Sequence, residues 1–111
     1  LESFRTRVGR LRELFAEAGA LERVVPSPFG EMPAAVLVGM RSNEMMVHAW
    51  DVARATGQPT DLDPELAETS LAEFRAARAR GLGAGMFGDP QPVPDTAPAA
   101  DRLAAYTGRT V

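Results

Sequence analysis

The chain has 111 residues, 45% of them apolar and 24% charged, with a formal net charge of -3. That is enough for one domain with a modest core. The arginines are scattered along a slightly acidic chain, which excludes the basic footprint of a nucleic-acid binder. There is no Cys, so disulfides, thiolate metal sites and cysteine nucleophiles are excluded. No apolar run reaches the length of a membrane span, and nothing reads as a signal peptide. A cytoplasmic protein of a single domain, residues 1–111, is the expectation. The chain starts at Leu1 already in helical phase, which suggests a piece of something longer.

The first element is a helix. Leu1, Phe4, Val8, Leu11, Phe15 and, more loosely, Ala18 recur at spacings of three and four and form an apolar seam. Arg5, Arg7, Arg10, Arg12, Glu13 and Glu17 lie off it. Gly19 is the expected stop. Residues 24–32 (VVPSPFGEM) carry two prolines and a glycine, which predict an extended, irregular connection rather than a strand.

Residues 33–57 (PAAVLVGMRSNEMMVHAWDVARATG) predict the central helix, with Pro33 in its first turn and Gly57 as its C-cap. It holds the only His, His48, and the only Trp, Trp50. At 100° per residue, Arg41, Glu44, His48 and Asp51 fall within an arc of roughly 80°. Most of the remaining circumference is apolar, including Val36, Met40, Met46, Val47, Trp50, Val52 and Ala53. Helices that are apolar nearly all round are usually buried. The polar stripe is therefore expected to face a partner, a cavity or a metal.

Asp63-Pro64 predicts the start of a third helix, with Asp as N-cap, Pro at the first helical position and Glu65 in the first turn. Ala67, Leu71 and Phe74 give it an apolar face, and Gly81 stops it. Residues 82–97 are rich in Gly and Pro and predict a long loop; Met86, Phe87 and Val93 suggest that it packs. A short last helix is expected over 98–107, with Leu103 and Tyr106 as apolar contacts and Gly108 at its end. No strand and no internal repeat is predicted.

The spacing Glu44-x-x-x-His48 places a carboxylate and an imidazole one turn apart on one face. Both side chains can converge on one cation, and both are ordinary ligands for Zn²⁺, Ni²⁺ or Fe²⁺. Asp51, three residues on, can bind directly or orient His48. The same residues also fit a purely local ion network, with Arg41 paired to Glu44 and His48 to Asp51. Other site classes do worse. There is no H-E-x-x-H, the glycines of GLGAGMFG lack a preceding strand and a Lys, and Ser42 lies on a different face from His48.

The run PFGEMPAAVLVGMRSNEMMVHAWDVARATGQPTDLDPEL and the tail PVPDTAPAADRLAAYTGRTV resemble actinobacterial DinB-like proteins. These are metal-binding proteins related to the N-terminal domain of mycothiol-dependent maleylpyruvate isomerase. The resemblance covers nearly the whole chain and matches the C-terminal half of the family pattern. It implies an all-α fold, the portion of a four-helix bundle made of about two long helices and two shorter C-terminal ones. It implies a divalent metal held by Glu44 and His48, with Asp51 matching a recurrent acid beside them. Arg41, by its place on the same stripe, is the candidate to hold an anionic group of a small-molecule substrate. A low-molecular-weight thiol such as mycothiol, activated at the metal, would be the co-substrate of a transferase or isomerase. The family's N-terminal helices, which carry a further His ligand, have no counterpart here. The resemblance therefore implies completion by an N-terminal segment or by a second copy in a homodimer. The alternative is a non-catalytic dimerising helical module with a vestigial metal site.

Overall fold

A computed structural model of the chain describes residues 1–83 and 85–111. Ala84, within the expected connection over 82–97, lies outside the described residues. In chain order the elements are α1 (Glu2–Ala16), β1 (Val24–Ser27), β2 (Gly30–Pro33), α2 (Ala34–Ala55), α3 (Pro64–Ala79) and α4 (Ala99–Tyr106). The chain is mostly helical, as expected. It divides into two compact units, Leu1–Arg41 and Ser42–Val111.

In the first unit, α1 carries its apolar seam on the surface. Phe4 is 69% exposed and Leu11 52%, and no residue of the helix is buried. The connection after it corrects the expectation of an irregular segment. β1 and β2 pair antiparallel, from Val24 opposite Pro33 to Ser27 opposite Gly30. Of the two prolines that argued against a strand, Pro28 lies in the turn between the strands, and Pro26 is tolerated within β1 because a two-stranded sheet has only edges, where a missing N–H need not break a ladder. Ser27 Oγ accepts from the Phe29 N–H at 3.1 Å and donates to the Gly30 carbonyl at 2.7 Å, closing the turn. Gly30 takes a positive φ of 103° there. Pro33 belongs to this strand, and α2 begins one residue later.

The second unit holds the core. Met46, Val47 and Trp50 from α2 pack with Ala67 and Leu71 of α3 and with Ala99, Ala100, Leu103 and Ala104 of α4. The alanines keep this core thin, and Leu71 and Leu103 are its largest fully buried apolar side chains. Burying a Leu contributes about 1.5–3 kcal/mol. Trp50 Nε1 donates to Asp101 Oδ1 at 2.7 Å and ties α2 to the first turn of α4. Asp63 caps α3 as predicted: its carboxylate accepts from the Leu66 N–H at 3.0 Å, and Pro64 opens the helix.

The central helix is less enclosed than its composition suggested. Met46, Val47, Trp50 and Ala53 are buried, but Met45 and Val52 are well exposed. Its apolar residues outnumber the positions that neighbouring elements cover, so burial follows one side and not composition. Three helix ends share one device. Gly57, Gly81 and Gly108 follow α2, α3 and α4 with positive φ. In each case the next residue's N–H reaches back to a carbonyl of the last turn: Gln58 to Ala53, Leu82 to Ala77 and Arg109 to Ala104. This is the Schellman arrangement that glycine permits without a Cβ penalty.

Candidate functional site

The site is built on α2, with contributions from the loop before α4 and from the residues just after it. Glu44, Val47 and His48 line a cleft of about 220 Å³ together with Met86, Phe87 and Arg109. One helical turn separates Glu44 from His48, so both reach the same opening. Val47 lies between them in sequence and turns into the core. Met86 and Phe87 give the cleft an apolar wall, as the long connection was expected to do by packing. The Phe87 ring stands edge-on against Phe74 of α3, 4.9 Å between centroids and 83° between planes. Backbone bonding also holds this connection to α4, where the Gln91 N–H donates to the Ala105 carbonyl at 2.9 Å.

His48 is exposed toward solvent, with 66% of its side chain accessible. Its Nδ1 lies 3.1 Å from Asp51 Oδ2. An ionised carboxylate only accepts, so Nδ1 is the donor of this contact, and in the neutral imidazole Nε2 is then the nitrogen with the lone pair. Asp51 is itself gripped by Arg109. Nε donates to Oδ1 at 3.0 Å and Nη2 donates to Oδ2 at 2.8 Å, a two-pronged fork. Arg109 Nη1 also donates to the Thr107 carbonyl at 3.1 Å. The Arg109 hydrogen bond holds the Asp51 carboxyl below its ordinary range; partial burial opposes this, and His48 adds to it. Arg109 is raised in turn, chiefly by its bond to Asp51.

Of the four residues on the predicted stripe, the structure brings Glu44 and His48 to one cleft and joins Asp51 to His48. Arg41 belongs to the first unit as an exposed side chain, three residues before Glu44. Its membership of the stripe rests on helical spacing. Asp51 meets His48 through Oδ2, and both of its oxygens accept from Arg109. Arg109 was missed. It sits 58 residues from Asp51, and no periodicity links a helix face to a residue beyond another helix's end. The available signal was Gly108, which marks the following residue as one turned back across the end of α4.

Glu44 and the neutral imidazole of His48 are groups that could supply two ligands to a divalent cation. Among the described residues, no group of three or more His, Asp and Glu side chains gathers closely enough to hold an ion. Any further ligand would come from outside this set. No described helix is long and apolar enough to cross a membrane.

These features define a mostly helical unit carrying a carboxylate–histidine–carboxylate stripe beside an apolar wall. Two uncharacterized proteins of Mycobacterium tuberculosis, from strains H37Rv and CDC 1551, are similar to it. Each is 48% identical over 102 residues, covering 89% of this chain and 56% of the relative. The chain thus spans about half the length of the curated relatives it matches. No protein-family model matches the chain, and no solved structure does.

Proposed function

We propose that this chain is part of a divalent-metal-binding helical protein of the DinB-like type. Glu44 and His48 are the ligands it contributes, and Asp51 orients His48. The observation that supports this reading is the contact between His48 Nδ1 and Asp51, which in the neutral ring would leave Nε2 to coordinate, with Glu44 lining the same cleft. Carboxylate-oriented histidines of this kind are the usual form of a histidine ligand. The sequence resemblance adds its support to the same two residues.

When bound, a metal such as Zn²⁺, Ni²⁺ or Fe²⁺ would supply Lewis acidity that lowers the pKa of a thiol or water. This chain's own residues do the rest. Glu44 supplies negative charge, Asp51 keeps the proton at Nδ1, and Val47, Met86 and Phe87 exclude water from one side. The reactions that suit such a site are transfer or isomerisation with a low-molecular-weight thiol such as mycothiol, or a hydrolysis-like step. Reduced thiols of this kind belong to the cytoplasm, which is the setting this reading assigns. The test is elemental analysis after metal-replete purification, followed by calorimetric titration with Zn²⁺. Wild type is expected to retain one divalent ion per site, and His48→Ala and Glu44→Ala to lose it with helicity unchanged. A wild type that takes up no divalent metal would overturn the reading.

A second reading has its own observation. The seam of α1 is exposed along its length, which favours a non-catalytic helical module that associates through this face, as a homodimer or with an N-terminal segment. In that case the stripe is an ion network and chelators leave stability unchanged.

A further inference from the structure

We infer that Arg109 is a positioning residue that acts on His48 through Asp51. Two of its three nitrogens grip both oxygens of Asp51, at 3.0 and 2.8 Å. The third donates to the Thr107 carbonyl. The oxygen that receives Nη2 is the same Oδ2 that receives His48 Nδ1. The atom that orients the imidazole is therefore held in place by the fork.

The placement of Arg109 is itself built in. Gly108, at a φ of 96°, turns the chain back over the end of α4. The Arg109 N–H then bonds the Ala104 carbonyl at 3.0 Å. Thr107, in the turn before it, is buried and bonds through Oγ1 to the Leu103 and Ala104 carbonyls. A Cβ on Gly108 would lie 2.7 Å from the Gly88 Cα, so this turn also abuts the connection that carries Met86 and Phe87. An exposed ion pair between mobile side chains contributes little. Here the Arg109 and Asp51 side chains are 26% and 35% exposed, and the contact is two-pronged with a backbone-anchored guanidinium. Such a contact fixes orientation as well as charge.

The consequence concerns one proton. A neutral imidazole in water prefers to carry its proton on Nε2. With Asp51 held in place, His48 carries it on Nδ1 and offers Nε2. Without Arg109, Asp51 is free to rotate toward water and the preference relaxes. The effect on metal binding rests on the proposed function; the effect on the proton does not.

Because His48 is the sole His, nitrogen NMR of the imidazole resolves one ring, measured on the full chain where that ring is neutral. The wild type is expected to show the Nδ1–H form. Arg109→Gln is expected to move His48 toward the Nε2–H form while the fluorescence of Trp50, the only Trp, stays that of a buried ring. Arg109→Lys keeps the charge but loses the fork, and is expected to restore the wild-type form only in part. If Arg109→Gln alters the Trp50 signal, the Lys variant is read in its place. Titration with Zn²⁺ alone should show affinity about 10–100-fold lower in the Gln variant. A shifted proton in a chain whose wild type binds no Zn²⁺ would uphold the positioning role and overturn the metal reading. A wild type with the proton on Nε2, or variants with an unmoved proton and intact Trp50 signal, would overturn the positioning role.

Discussion

At the scale of single residues, Ser70 of α3 stands out as the one buried side-chain hydroxyl without a hydrogen-bond partner among the described residues. A helical Ser commonly returns its proton to the carbonyl four residues back, as the neighbouring Thr69 does to Glu65 at 3.0 Å. An unmade buried hydrogen bond costs about 1–3 kcal/mol. Ala fits a core already lined by Ala67, Ala100 and Ala104. Ser70→Ala is therefore expected to raise stability by about 1 kcal/mol, seen as a higher urea midpoint at unchanged slope. A lowered midpoint would mean that the hydroxyl contributes to folding after all. The candidate site divides at this scale into what was legible and what was not. Glu44, His48 and Asp51 sit on one helix, where spacing dictates which side chains can meet. Arg109 meets Asp51 through folding alone, and nothing in the intervening residues encodes that contact locally.

At the scale of elements, the ends of α2, α3 and α4 were the most legible feature, whereas α1 stops at Ala16, short of the expected Gly19. Gly57, Gly81 and Gly108 each stop a helix because only glycine takes a positive φ freely. Two of them separate backbone strain from close packing. A Cβ on Gly57 would meet open space, whereas one on Gly108 would press on the Gly88 backbone at 2.7 Å. Gly57→Ala is expected to cost only the conformational strain, of order 1 kcal/mol. Gly108→Ala should cost clearly more, because one backbone must move from another. Thermal or urea unfolding of the two variants side by side measures the difference, and equal losses would show that the Gly88 contact yields freely. Less legible were the hairpin, where Pro26 and Pro28 masked strand character, and the exposure of Met45 and Val52. An apolar side chain on a helix is buried only where another element comes to cover it.

At the scale of the whole molecule, the relatives are longer than this chain, and α1 presents Phe4, Leu11 and Phe15 to solvent. Association through this face, the second reading above, predicts a sedimentation mass above that of one chain. Phe4→Glu combined with Leu11→Glu should return it to a monomer without loss of helicity, because each charge would have to be desolvated at the contact. A monomeric wild type at micromolar concentration would count against it. The sequence by itself determined the helical periodicity, the caps and stops, and the meeting of Glu44, His48 and Asp51 on one face of the central helix. These depend on backbone geometry within a few residues, which is the same wherever the helix lies. The tertiary structure alone decided which faces are covered, that Met86 and Phe87 wall the cleft, and that Arg109 grips Asp51. Those outcomes depend on packing between segments far apart in the chain, for which no local pattern stands.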